Sequence, residues 1–428
     1  MRTRSLGALA VTTAVVLTAA ACSNTPQSAS TGEGSSGGGG AAVTFASVGS
    51  DKAAAEALGK AFTDKTGTPV TVTITDVDNY QTTLRTQLTS GTAPDVFFTW
   101  GGDGNPMAMQ VVQEAGLIAD LSGYSFVKDI PEGFRGVTDV DGKTFIAPAT
   151  TAFIGAAYNT QAMEKEGWKA PTTWSEMLEL CGTAKSAGKS LFAYGGATPW
   201  NTQLIPYALT PTIVYGPNPD FATQMSEGKV SFADSGWVTA FDKYQEMLEA
   251  DCFQDNALGT TYEDALKLVG QGKSMASVQV NASMVAILQS APDGTTLSFE
   301  PLPADDDASS TRMAAALGAS YGLNAKAKNP EGAKAFIEFM TSPEGQTAYA
   351  TASAALPVLP ASSDYEQDPA LDTAVTYLKE GKTDPFMDQL WPNAKVQQTH
   401  FEVLQKLLAG DMTSKEAAQE MDKVYAEG

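Results

Sequence analysis

The chain has 428 residues, with 27 Lys plus Arg against 49 Asp plus Glu, a formal net charge of -22 and 43% hydrophobic residues. That acidity argues against nucleic acid and bare anionic membrane as partners, since both repel a negative surface. His400 is the sole histidine, which excludes an HExxH zinc site and leaves one residue for any Ser-His-Asp triad.

At the N-terminus, Arg2 and Arg4 precede an apolar run from Leu6 to Ala21, and Ala19, Ala20 and Ala21 lead into Cys22. A basic start, a short apolar stretch and small residues before a cysteine read as an export signal over 1–21, with Cys22 becoming a lipid-bearing N-terminus on the outer face of the cell membrane. Lipoprotein signals usually carry Leu three residues before the cysteine, where this chain has Ala19, so an ordinary signal peptide cut near Ala21 is the alternative. Either way the mature protein works outside the cytoplasm, and losing Arg2 and Arg4 takes its formal charge from -22 to -24. Residues 22–42 read as the lipidated cysteine and a flexible Gly/Ser linker, roughly 25 Å in root-mean-square span. Gly34-Ser35-Ser36-Gly37-Gly38 matches a nucleophile elbow only formally, because a Gly/Ser linker has no strand-turn-helix to strain the serine.

About 385 residues follow from Val43, too many for one typical core, so two lobes are expected. No second apolar run reaches the roughly 18 residues of a membrane helix. Val43 to Val48 reads as a strand, Ala54, Leu58, Ala61 and Phe62 as one helical face, and Pro69 to Ile74 as an alternating strand. Tyr80, Leu84 and Leu88 mark a further helix, and Asp95 to Phe98 reads as a buried strand. This alternation predicts an α/β fold with mostly parallel sheets flanked by helices, and a ligand crevice at the carboxyl ends of the strands. Ser50 and Asp51 after the first strand, Tyr80 after the second, and Trp100 and Asp103 after the third are therefore candidate site residues. Cys181, on a helix opened by a capping box from Thr173 to Glu176, and Cys252, just beyond the helix around Phe241 to Leu248, are a possible disulfide; two separate buried thiols are the alternative.

The segment Ala93-Pro94-Asp95-Val96-Phe97-Phe98-Thr99-Trp100-Gly101-Gly102-Asp103 resembles the early core of the extracellular sugar-binding proteins of ABC importers, the maltose-binding-protein-like family 1 of bacterial solute-binding proteins. The resemblance continues through Asp141-Gly142-Lys143, Tyr158-Asn159, Pro171-Thr172-Thr173-Trp174, Asn329-Pro330-Glu331-Gly332-Ala333, Ser342-Pro343-Glu344-Gly345 and Leu356-Pro357, spanning nearly the whole mature chain. It implies a two-lobed periplasmic-binding-protein-like clamp with three hinge crossovers, expected near 150–155, 313–319 and 355–358. The first lobe is then 43–152 plus 313–356 and the second 153–312 plus 357–428. It implies further a monomer that needs no cofactor or metal, binds a di- or oligosaccharide, closes on it, and delivers it to the transmembrane subunits of an ABC permease.

A sugar offers a C–H face to an aromatic ring and an equator of hydroxyls to polar groups. In the resembling family the tryptophan and aspartate of the W-x-x-D stretch contact sugar, which carries over to Trp100 and Asp103. The second lobe's aromatic platform falls on Trp200 with Asn201. Asn281 to Met284 matches a segment that often bears another tryptophan, a place held here by Met284, a softer platform. Ser320 and Tyr321 fall where the chain returns to the first lobe near ligand and hinge, and Trp391, in Trp391-Pro392-Asn393, is a further aromatic candidate. The terminal helices bearing Phe401, Leu404 and Leu408, and His400 with them, read as packing only. A glycoside hydrolase sharing such a cleft would need two opposed carboxylates, which 49 acidic residues can always supply on paper. A clamp for a polyamine is the other alternative.

Overall fold

The computed structural model describes residues 41–428; the expected export signal, Cys22 and nearly all of the 22–42 linker lie outside the described residues. Among the described residues no helix is long and apolar enough to cross a membrane.

The first lobe begins with β1 (Val43–Val48), which is almost wholly buried. Helix Lys52–Thr66 buries Ala54, Ala55, Leu58 and Phe62 along one stripe and stops at Gly67, whose φ of 73° is the left-handed cap that glycine adopts without steric cost. β2 (Val70–Thr75) alternates half-buried Val70, Val72 and Ile74 with exposed Thr71 and Thr73, as suits a sheet edge. Helix Val77–Ser90 buries Tyr80, Leu84 and Leu88, and β3 (Val96–Phe98) is buried throughout. A short ribbon, β4 (Asp139–Val140) with β5 (Lys143–Thr144), and then β6 (Ile146–Pro148) complete the first pass.

The ten-residue β7 (Thr150–Asn159) carries the chain into the second lobe, where β8 (Ser190–Phe192), β9 (Ser274–Val280), β10 (Leu297–Glu300) and β11 (Met313–Leu317) follow. β12 (Ser320–Leu323) returns to the first lobe, β13 (Leu356–Pro357) crosses back, and β14 (Thr383–Asp384) joins the second sheet.

The first sheet runs β2-β1-β3-β12-β6 and the second β14-β11-β7-β9-β8, with β10 and β13 also pairing on β7. The sequence predicts mostly parallel sheets; both are mixed. β1, β2 and β3 are mutually parallel, but β12 runs antiparallel to β3 and β6, and β7 runs antiparallel to β9, β10, β11 and β13. The cause is the crossovers. A strand that enters a lobe at the hinge runs away from the crevice, whereas the strands of the helix-connected units run toward it.

The three passages lie side by side. Gly318 N–H donates to Thr150 O at 2.8 Å, Ala149 N–H to Ala319 O at 2.9 Å, and Leu356 and Pro357 register with Thr151 and Thr150. A Cβ on Gly318 would come within 2.8 Å of Ala152 Cβ, so only glycine lets the first two crossings touch. Strand pairing corrects the expected lobe boundaries. Thr150–Ala152 and Met313–Leu317 belong to the second sheet, and Leu359 packs in the first-lobe core.

Cys181 and Cys252 form a disulfide with sulfurs 2.09 Å apart, fastening helix Trp174–Ser186 to Cys252, whose carbonyl accepts from Phe192 N–H at 2.9 Å at the edge of the second sheet. The bridge spans 71 residues of chain, so its removal frees a long loop in the unfolded state. The double change Cys181→Ser with Cys252→Ser is expected to cost about 3 kcal/mol, read as a lowered urea midpoint against the oxidised protein. An unchanged midpoint would show that the bridge contributes nothing.

Candidate ligand cleft

The carboxyl ends of β1 and β3 face the start of β7 and the end of β9 across a narrow cavity of about 140 Å³ between the lobes. An outer hollow of about 640 Å³ adjoins it, sharing Ser50, Val77 and Trp200, and it is this hollow that has the size usual for a small-molecule site. The cavity opens where both sheets present strand ends, as the crevice rule for such sheets requires.

Each lobe contributes one half-exposed tryptophan, and each ring is held by aromatic neighbours. Trp100 follows β3 and packs edge-on against Phe98 at 4.7 Å and Tyr80 at 6.1 Å. Trp200 rides the short helix Pro199–Thr202, which Pro199 starts, and lies 4.8 Å from Tyr262. The Tyr262 hydroxyl is in turn tied to Ser283 Oγ at 2.9 Å. Phe386 and Phe401 add further aromatic wall from the C-terminal segment.

The loop after Trp100 needs its glycines. Cβ atoms on Gly102 and Gly104 would lie 2.2 and 1.8 Å from the carbonyl oxygens of Gln389 and Asp388, so the loop's backbone sits directly on the turn Met387–Leu390. Gln389 Nε2 donates to Leu317 O at 2.9 Å, joining that turn to the hinge. Asp388 and Gln389 are thereby brought into the cleft wall.

Asp51 is buried beside Ser50 and accepts from Ser50 Oγ and from the Tyr349 hydroxyl, each at 2.9 Å. Burial raises its carboxyl above the usual range, and the two hydrogen bonds offset part of that rise. Asp388 is held up to about 7 by burial, against the pull of the backbone N–H groups of Asp388 and Gln389 and of the neighbouring Tyr207 hydroxyl. Among the described residues no Lys, Arg or His lines the inner cavity.

Of the residues expected from the sequence, Ser50, Asp51, Trp100, Trp200 and Asn281 line this cavity. Asn281 does so with its amide already engaged: Oδ1 accepts from Phe153 N at 2.8 Å and Nδ2 donates to Ala354 O at 3.0 Å, tying β7 to the third crossing. Asp103 sits half-buried on the glycine loop outside the cavity lining; burial and the charge of Glu114 push its carboxyl up to about 6.

The others are corrected to structural places, because each finds partners inside a lobe. Tyr80 is 2% exposed and donates to Phe98 O at 3.0 Å. Asn201 is buried between Gly195 N at 3.2 Å and Gln279 Oε1 at 3.0 Å. Met284 lies in a small core with Phe153 and Ala157 of β7 and Phe299 of β10. Ser320 donates to Thr99 O at 2.6 Å. The Tyr321 hydroxyl is shared with Ser47 Oγ at 2.9 Å and the Tyr349 hydroxyl at 2.7 Å. Trp391 is buried among Tyr207, Phe232, Trp237 and His400.

Sequence reasoning missed the C-terminal wall. Helix Ala394–Ala409 reads as packing, yet Gln397 and Phe401, four residues apart on one face, reach the cleft while Val396, Val403 and Leu404 fill the core. A glutamine and a phenylalanine at that spacing beside an aliphatic stripe are the signal that could have found them. His400 is buried, stacked on Tyr207 at 5.5 Å, and burial pushes its imidazole down to about 3, so it stays neutral. Among the described residues no cluster of three or more His, Cys, Asp or Glu is placed to hold a metal ion.

Residues 57–373 match the family described as bacterial extracellular solute-binding protein. The chain is 23% identical over 286 residues to the multiple sugar-binding protein of Streptococcus mutans, covering 65% of this chain and 66% of that protein, just under two thirds of its length. It is 21% identical to the melibiose/raffinose/stachyose-binding protein MelE of Bacillus subtilis, over 81% of this chain and 80% of that one. Among solved structures, the raffinose complex of SBP RafE superimposes with a TM-score of 0.74 at 19% identity, covering 90% of this chain and 99% of that one. These likenesses show the two-lobed α/β fold, and the family match over most of the chain settles its membership: it is a bacterial extracellular solute-binding protein.

Proposed function

We propose that this protein is the extracytoplasmic carbohydrate receptor of an ABC importer, taking a di- or oligosaccharide between its lobes and presenting it to the permease by clamp closure. The observation that carries this reading is the pair of tryptophans, Trp100 from one lobe and Trp200 from the other, braced by aromatic neighbours at the wall of one cleft. Flat apolar rings with neutral amides and carboxylates at their rims are what stacked sugar rings need. The outer hollow of about 640 Å³, continuous with the inner cavity at Ser50, Val77 and Trp200, leaves room for more than one sugar ring. Relatives named for sugar binding support the same class of ligand.

Closure works as a clamp because a ligand touching both lobes binds the closed arrangement better than the open one, and only that difference drives the change. The three hydrogen-bonded crossings beside the cleft floor supply the hinge. In this reading the protein is a binding protein and not an enzyme, and Cys22 carries a lipid that keeps it at the membrane near its permease.

A thermal-shift screen of the purified protein against raffinose, stachyose, xylo- and chito-oligosaccharides, with putrescine alongside, tests the assignment. A saturable rise in melting temperature with one sugar class and no product formed is expected, since a ligand of the native state stabilises it. A shift with putrescine alone, or turnover of the sugar, contradicts it.

A further inference from the structure

Asp388 is 7% exposed and stands in the cleft wall. Its one well-formed side-chain hydrogen bond is to Oδ2, which accepts from Gln397 Nε2 at 2.9 Å. Oδ1 and the Tyr207 hydroxyl lie near each other, neither makes a well-aligned hydrogen bond among the described residues, and both side chains line the cavity. Buried polar atoms without partners are costly, so such a pair is preserved where a ligand completes it. Asp51, the other carboxylate of the inner cavity, has both oxygens engaged. Among the described residues no cation lines that cavity; Lys52 and Lys267 stand in the outer hollow, with Asp76 and Glu263 also there.

We infer that Asp388, with Tyr207 beside it, is the specificity-determining anchor of the cleft: it takes a hydroxyl of an uncharged sugar and turns away uronates and other acidic sugars. The inference rests on the carbohydrate reading above. A sugar hydroxyl offers both halves of what the pair lacks, a proton for Oδ1 and a lone pair for the Tyr207 phenol. A ligand carboxylate offers no proton to Oδ1 at neutral pH and sets a further negative charge beside Asp51 and Asp388, with no cation among the lining residues to offset it.

The test is isothermal titration at pH 8 with raffinose and xylotriose, each beside a uronate-bearing counterpart: raffinose oxidised at C6 of its galactose, and glucuronosyl-xylotriose. For whichever neutral probe binds, the acidic counterpart is expected to bind at least tenfold more weakly to the wild type, and Asp388→Asn is expected to shrink that gap at least threefold. Tyr207→Phe, which removes one hydroxyl and little volume, is expected to lower neutral affinity at least threefold while the gap persists. Equal binding of neutral and acidic sugars by the wild type overturns the inference while leaving the receptor reading intact. So does a gap unmoved in folded Asp388→Asn, or neutral affinity unmoved in Tyr207→Phe. Failure of both neutral probes and of the wider sugar screen brings down the receptor reading, and the inference with it.

Discussion

Alanine at Trp100 or at Trp200 is expected to weaken binding of the protein's sugar by about 2 kcal/mol or more, roughly 30-fold, and the double change by about 4 kcal/mol if the two rings grip different parts of the ligand. Burial of a rigid aromatic against a sugar face removes apolar area from water at little entropic cost, provided that the ring is already held. Both rings are held: Phe98 and Tyr80 fix Trp100, and Tyr262, itself anchored through Ser283, fixes Trp200. Because the two sit on different lobes, removing either also takes away part of what favours the closed clamp. Titration of the single and double variants checks this, with urea midpoints to confirm folding. Near wild-type affinity in either single variant would remove that ring from the site.

Asp388→Asn is expected to stabilise the ligand-free protein at pH 8 and to have almost no effect at pH 4. The Asp388 carboxyl is pushed up to about 7 in the fold, from an ordinary 3.8. A carboxylic acid whose folded value is raised binds its proton more tightly in the native state. Its unfavourable contribution is therefore absent below about pH 4, grows as pH rises, and is complete above about pH 7. A carboxyl raised that far loses a few kcal/mol of stability once it is ionised at pH 8, on the order of 1.4 kcal/mol for each tenfold change in its proton affinity. Facing this group are Tyr207, Tyr215 and Gln397, with the Arg312–Asp384 pair near Tyr215. His400 acts in the opposite sense: its value of about 3 costs stability as pH falls from 6.5 toward 3. The wild-type profile mixes the two, so the difference between variant and wild type is the quantity to follow. Urea midpoints at pH 4 and pH 8 decide it, and a difference that is the same at both pH values would contradict the burial of an incompletely partnered acid.

The periodicities that mark β1, helix Lys52–Thr66 and helix Val77–Ser90 are local, and a local pattern is enough to find them. Strand direction is not local. β12 and β7 run against their neighbours because the chain enters each lobe at the hinge, and nothing within Ser320–Leu323 records where its entry lies. The same distinction divides the site. Trp100 and Trp200 were legible because each follows a strand and has no polar duty inside a lobe. Tyr80, Asn201, Ser320 and Tyr321 occupy similar positions in the sequence, but their polar atoms are satisfied by Phe98, Gln279, Thr99 and Tyr349, partners that tertiary packing alone supplies. Asp388 and Gln397 lie far along the chain from the strand ends that suggested a crevice. They reach it because Gly102 and Gly104 let the loop after β3 seat directly on the turn that carries Asp388. No spacing rule connects those two stretches.

The most direct test of a sugar clamp built on Trp100 and Trp200 is titration of the purified wild type, beside the Trp100→Ala, Trp200→Ala double variant, with the sugar that gives the largest thermal shift. One-site binding by the wild type, weakened at least a hundredfold in a double variant that remains folded, is the result predicted here. Equal affinity in the two proteins would place the sugar elsewhere on the molecule and contradict the assignment of this cleft.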